Sequence, residues 1–221
     1  MTKSTPNGKH EPQSSMKAGA SASGLEALIA RAHADSHSGP ATKEREIPPV
    51  ERWNPEFCGD LDMEIRADGT WFYMGTPIGR PQLVRLFSTV LRKDEDGKTY
   101  LVTPVEKVGI RVEDAHFIAV EMQVSGEGNT QTLTFRTNVG DVIEAGDEHP
   151  LRFIIEKNSN GLKPYVLVRG RLEALLTRAV MYDLVALGEE IDMDGETMFV
   201  VRSNGVIFPI MPVDALEAAL Q

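Results

Sequence analysis

Two stretches of this chain carry the same apolar pattern in the same order. Phe72, Met74, Ile78, Leu86 and Val90 recur at one constant offset as Val166, Val168, Leu172, Val180 and Leu184, across what reads as a strand and then a helix. After a short insertion in the second stretch, DGKT at 96–99 answers to DGET at 194–197, followed by Tyr-Leu-Val and Met-Phe-Val. Apolar positions repeated in register imply one supersecondary unit built twice. A duplicated unit constrains more than the fold. Two copies facing each other leave a cleft, and clefts between domains are preferred ligand sites.

The rest of the chain has to fit that plan. At 221 residues, 41% hydrophobic and 25% charged, it can form one large domain or two small ones with ordinary cores. The formal charge is −10 and no cationic cluster exceeds Lys43-Glu44-Arg45, so the phosphate-binding footprint of a nucleic-acid protein is missing. One cysteine, Cys58, excludes an internal disulfide framework. No apolar run is long enough for a membrane span, and no apolar signal core follows Met1. The expectation is a cytoplasmic protein with no nucleic-acid or membrane partner.

Residues 1–24 are small and polar and read as a disordered tail; residues 25–46 read as a short amphipathic helix, with Leu25, Leu28 and Ile29 on one face, and a linker. The remainder divides into an N-terminal domain at 47–148 and a C-terminal domain at 149–221. Leu61, Met63 and Ile65 alternate with charged residues as in a half-buried strand, Ala67-Asp68-Gly69 turns it, and TWFYM at 70–74 returns. Pro81 opens a helix whose stripe is Leu83, Val84, Leu86, Phe87, Val90 and Leu91, stopping near 93–97. Strands at 100–102, 105–112, 117–124 and 130–137 read as an antiparallel meander. The second copy then predicts strands at 151–156 and 165–169, a turn near 158–161, a helix over about 173–187, strands at 190–193, 197–201 and 206–210, and a last helical turn or two at 213–220. This is an α+β fold of two small domains, each a curled antiparallel half-barrel sheet packed on one helix.

Chemistry is less legible. Asp60, Asp62 and Glu64 alternate like the start of a calcium loop, but Ile65 stands where glycine is needed and Trp71 where glutamate is needed. His33 and His37 have helical ligand spacing without a third ligand, so no metal site is expected. There is no nucleophile elbow and no phosphate-cradling loop. In VEKVGIRVED at 105–114, Lys107, Gly109 and Arg111 share one strand face; two cations flanking bare glycine backbone suit an anionic group, and suit equally two snorkelling surface cations. RTNVGD at 136–141 offers Arg136, Thr137, Asn138 and Asp141, which either cap a turn or line the seam between units. His149 is able to titrate near neutrality and Arg152 to pair an anion bidentately, although a proline-capped linker explains His149-Pro150 as well. Cys58 is a redox candidate if exposed and acidified, and otherwise a packed thiol.

FCGDLDMEIRADGTWFYMGTPIGRPQLVRLFSTVL at 57–91, YLVTPVEKVGIRVEDAHF at 100–117, RTNVGD and HPLR together resemble the bacterial domain-of-unknown-function 1285 family, over about residues 47–211. That resemblance implies a duplicated core, a second domain loosely similar to the pleckstrin-homology fold, a nucleotide-like ligand at the domain interface and a signalling role, with no established reaction and no cofactor. Transferred to this sequence, it implies that Lys107, Arg111, Thr137, Asn138, Asp141, His149 and Arg152 approach the seam, with Trp71 and Phe72 as a stacking face. Tyr73 departs from the histidine expected in many relatives. The sequence reading is therefore a non-enzymatic ligand-binding or signalling protein that holds a small anion, a nucleotide among the candidates, between two domains. The alternatives are a module that docks a partner peptide on a sheet edge or groove, and third, an enzyme using His149 with Asp141 or Asp114 as an acid–base pair.

Overall fold

A computed structural model describes residues 47–156 and 161–215. The expected N-terminal tail, helix and linker, including His33 and His37, lie outside the described residues, as do most of the turn near 158–161 and most of the last helical turn.

The repeat is visible as element order. The first copy runs β1 (Phe57–Ile65), β2 (Trp71–Tyr73), β3 (Thr76–Pro77), α1 (Pro81–Thr89), β4 (Leu91–Lys93), β5 (Thr99–Val102) and β6 (Lys107–Val112). The second runs β10 (Leu151–Ile155), β11 (Leu162–Arg169), β12 (Leu172–Leu176), α2 (Arg178–Val185), β13 (Glu189–Met193), β14 (Glu196–Ser203) and β15 (Val206–Pro212). Between them stand β7 (Phe117–Ser125), β8 (Thr132–Thr137) and β9 (Val142–Glu144). The matched DG dipeptides both lie at hairpin turns, β4–β5 and β13–β14, with Gly97 at φ +79° and Gly195 at φ +86°. There the repeat follows from backbone geometry, because few residues other than glycine adopt that φ without strain.

Pairing departs from the expected meander. The first copy forms one six-stranded sheet, ordered β3-β2-β1-β6-β5-β4, in which β1 and β6 run parallel. β7 does not continue it. β7, β8 and β9 instead join the second copy in a six-stranded half-barrel ordered β10-β11-β12-β7-β8-β9, with β12 parallel to β7. The remaining strands form a third sheet, β13-β14-β15. The division of the chain expected at 148/149 thus falls inside the half-barrel. Alternation along 117–137 marks strands but cannot say which sheet they join, since parallel partners are distant in sequence. The architecture is α+β in two domains, sheet one with α1, and the half-barrel and third sheet with α2.

Both helices are shorter than their sequence stripes. α1 ends at Thr89, and Leu91 is the first residue of β4, fully buried in the sheet. In the second copy LEALL, composed of good helix formers, is the strand β12. Its Leu172, Ala174 and Leu176 face the core and alternate with half-buried Glu173 and Leu175, the period of a strand between two neighbours. Thr177 then caps α2, its hydroxyl accepting from the Val180 amide at 3.4 Å.

The two domains share one contiguous core, in which Trp71, Phe87 and Leu101 of the first join Phe117, Phe135, Val166 and Leu184 of the second. Polar groups fix the seam. The turn at Gly69 (φ +80°) packs so closely on β7 that a Cβ there would lie 2.6 Å from Ile118 Cγ1. His116, 4% exposed, sits between the sheets: Nδ1 accepts from the Glu173 amide at 3.3 Å, so Nε2 carries the proton and donates to Thr99 Oγ1 at 3.0 Å. Burial, reinforced by Lys93, lowers the His116 pKa to about 4.

Two outcomes follow for stability. The folded state binds fewer protons at His116 than the unfolded chain, whose histidine titrates near 6.5. Its stabilising neutrality is therefore complete above pH 6.5 and lost as pH falls toward 4, by roughly 3 kcal/mol at the lower limit. Urea unfolding of the wild type from pH 7 to 4 should show this decline, and His116→Gln should flatten it. Gly69→Ala adds both positive-φ strain and a clash with Ile118, and should cost about 2 kcal/mol or more by the same measurement.

Candidate functional site

A cleft of about 480 Å³ opens between the two domains. One wall is the β1–β2 turn and the N-terminal half of α1, including Gly69, Trp71, Ile78, Pro81, Val84 and Arg85; the other is the end of β8 and the following turn, residues 136–140.

Each wall has a local cause. Pro81 at the first helical position removes an amide that would have no partner, and Arg80 precedes it without a side-chain cap, so the N-terminus of α1 is left open at the cleft. On the opposite wall Thr137 closes the turn on itself: its amide donates to Asp141 O at 2.9 Å, and its hydroxyl accepts from the Asp141 amide at 3.0 Å. Asn138 pins that turn to β7, its amide donating to Ile118 O at 2.8 Å and its Oδ1 accepting from the Ile118 amide at 3.0 Å. Arg169 spans both walls, donating to Ser88 O at 2.7 Å on α1 and to the Asp141 carboxylate at 2.8 Å.

Two guanidinium groups line the cleft and differ in state. Arg136 is held by the Glu121 carboxylate through both ends of its fork, Nε donating to Oε2 at 2.7 Å and Nη2 pairing Oε1. That pairing lowers the Glu121 pKa. The Arg85 guanidinium has no hydrogen bond or ion pair among the described residues. It lies against bare backbone, with Nη2 3.1 Å from where a Cβ would stand on Gly140. Trp71 is buried and stacks on Phe87 at 6.2 Å, and its indole Nε1–H has no acceptor. A buried donor left unpaired costs about 1–3 kcal/mol.

The residues singled out from sequence do not form one cluster. Trp71 and Asn138 line the cleft, and Thr137 and Asp141 shape its second wall without lining it. Phe72 lies beneath Arg66, whose Cζ is 3.6 Å from the ring centroid. Lys107 is on the outer face of the first sheet, 3.2 Å from Asp94 and 4.6 Å above the Tyr100 ring. Burial raises the Asp94 pKa, but hydrogen bonds from Arg92 and Lys107 outweigh it and hold the carboxyl below its ordinary value. Arg111 pairs Glu64 at 2.6 Å, and the bare face of Gly109 is covered by the Asp60 carboxylate. The anions these two cations meet are the protein's own.

His149 bonds Leu167 O through Nδ1 at 3.0 Å, and Arg152 pairs Glu173 bidentately at 2.7 Å while lying over Tyr165. Asp114 accepts from Lys163 at 2.9 Å and from Tyr165 at 2.7 Å, so His149, Asp141 and Asp114 are each engaged elsewhere rather than with one another. Burial, then the Asp114 hydrogen bond, pushes the Tyr165 pKa up to about 12. Cys58 is exposed, its Sγ 3.4 Å from Glu56 O. No group of three or more potential metal ligands converges among the described residues.

Arg85 and Gln82 are cleft residues that motif reading passes over. A signal existed: the offset that defines the repeat sets Arg85 against Ala179, an unduplicated cation on a duplicated helix.

Known proteins agree on the family and leave the chemistry open. Residues 48–115 match "Domain of unknown function (DUF1285), N-terminal domain", and residues 116–210 match "Protein of unknown function (DUF1285), C-terminal domain". No curated protein matches. The crystal structure of a DUF1285 family protein from Silicibacter pomeroyi DSS-3 is 49% identical, covering 86% of this chain and 97% of that one, with a TM-score of 0.74. Another, from Shewanella baltica OS155, is 26% identical over 57% of this chain and 91% of that one, with a TM-score of 0.45. With both family domains matched in order and a half-identical relative spanning most of its length, the chain belongs to the DUF1285 family.

Proposed function

We propose that this chain is a non-enzymatic ligand-binding protein that holds a small anion in the cleft between its two domains. Arg85 is the observation that carries this reading. Many cations of this chain of net charge −10 pair with a carboxylate, as Arg92, Lys107, Arg111, Arg136, Arg152 and Arg169 do, and the described cations without such a pair other than Arg85, among them Arg52, Lys93 and Lys98, do not line the cleft. The Arg85 guanidinium has no ion pair among the described residues, and no carboxylate is among the residues lining the cleft. The open N-terminus of α1 adds partial positive charge to the same wall. An anion at this place gains the guanidinium fork and the helix end together.

The two walls belong to different domains, so a ligand touching both would stiffen the seam. That change in domain coupling is the physical content of the signalling role we assign. The exposed, lone Cys58 suits a reducing compartment, and we place the protein in the cytoplasm. No helix among the described residues is long and apolar enough to cross a membrane.

Thermal denaturation against a panel of carboxylates, phosphates and nucleotides tests the reading. An anion present at a hundred times its dissociation constant should stabilise the protein by about 2.7 kcal/mol. Arg85→Gln should abolish that shift. Lys107→Ala and Arg152→Ala should leave it intact, because both cations are neutralised outside the cleft. A flat response to every anion, or a shift indifferent to Arg85→Gln, would refute the proposal.

A further inference from the structure

The geometry points to a particular kind of anion, a monocarboxylate on an apolar body, as the occupant of this cleft. The inference rests on the proposal that the cleft binds an anion and goes further by fixing the ligand's charge and the character of the rest of it.

Charge comes first. Arg136 arrives already neutralised, since Glu121 occupies both ends of its fork. Arg85 contributes one uncompensated positive charge, and the N-terminus of α1 adds a partial one of about half an elementary charge. A single negative charge matches that field. A nucleoside triphosphate carries several negative charges and would leave most of them unanswered, in a protein whose overall charge already repels anions.

Most of the remaining surface is apolar. Away from the arginines and the polar Thr70, Gln82 and Asn138, the cleft is lined by Trp71, Ile78, Pro81, Val84 and Val139. These side chains come from both walls, so an apolar body would contact both domains while its carboxylate meets Arg85. None of these five side chains presents an accessible hydrogen-bonding group, since the unpaired Trp71 indole N–H is itself buried. A ribose or a string of phosphates needs many partners and would find, beside the arginines, only Thr70, Gln82 and an Asn138 whose Oδ1 already accepts from the Ile118 amide, whereas a hydrocarbon needs none. The volume of about 480 Å³ falls in the range of ordinary small-molecule sites. A planar guanidinium is matched to a carboxylate because both oxygens can accept from it at once.

Calorimetric titration of the whole chain with sodium decanoate, sodium acetate, decylammonium chloride, inorganic phosphate and ATP separates the possibilities. Decanoate should bind, acetate at least about tenfold more weakly because it lacks the body, and decylammonium not measurably because its charge is reversed. Arg85→Gln should weaken decanoate by about tenfold or more while leaving the unliganded melting temperature unchanged. The chain has two tryptophans, so in a Trp53→Phe background decanoate should alter the fluorescence of Trp71, which reports occupancy of this cleft directly. Phosphate or ATP binding through Arg85 with decanoate inert would overturn the carboxylate assignment and leave the anion reading standing. Decanoate binding unaffected by Arg85→Gln, or without a Trp71 response, would overturn the assignment by placing the ligand elsewhere. Silence from every anion would remove both.

Discussion

Arg169 reaches from β11 across the domain seam, and the shape of the cleft depends on where its two ends land. One amino group donates to Ser88 O near the end of α1, the other to the Asp141 carboxylate in the turn after β8. Ser88 lies one helical turn beyond Arg85, and its own hydroxyl donates to Arg85 O at 2.8 Å. Fixing Ser88 therefore fixes the backbone that carries the free guanidinium. Asp141 in turn is locked to Thr137, which holds Asn138, Val139 and Gly140 against the opposite side of the opening. One planar side chain thus sets the distance between the walls. It is half-hidden and rests over the Phe117 ring at 4.9 Å, so the arrangement has little freedom to drift.

The framework was legible in sequence where local chemistry decides it. The Ala67-Asp68-Gly69 hairpin, the Pro81 helix start and the paired DG turns are short-range statements, and each stands where its residues require. LEALL was misread because its residues favour helix while its tertiary position, between β11 and β7, demands a strand. The parallel pairs β1–β6 and β7–β12 were invisible because nothing local distinguishes a strand that turns back on its neighbour from one that crosses to another sheet.

The site was legible in part for a related reason. Lys107, Arg111 and Arg152 were sensible anion ligands by type, but a sequence does not disclose which carboxylate will arrive beside each. Asp94 from the β4–β5 turn, Glu64 from β1 and Glu173 from β12 occupy all three cations. Gly109 illustrates the same limit: its bare backbone does receive an anion, and the anion is Asp60. In a strongly acidic chain the informative cation is one that lines a cleft with no carboxylate beside it, as Arg85 does among the described residues, and only the folded arrangement identifies it.

The duplication also acquires a different meaning. If the cleft lay between two facing copies, both walls would come from repeated segments. Its first wall does, being the hairpin and helix of copy one. Its second wall is the end of β8 and the turn that follows, which belong to the three strands inserted between the copies and have no counterpart in either. Those strands pair with β12 through β7, the edge that answers to β3 in copy one, while β10, which answers to the β1 that meets β6, is left at the far edge of the half-barrel. The second copy's last three strands are left as a separate sheet. Inserting β7–β9 extends the second copy's sheet where the first copy's ends, and it supplies the second wall of the cleft. The repeat supplies a rigid helix with an open N-terminus and a free arginine, and the insertion supplies the surface against which a ligand can be held.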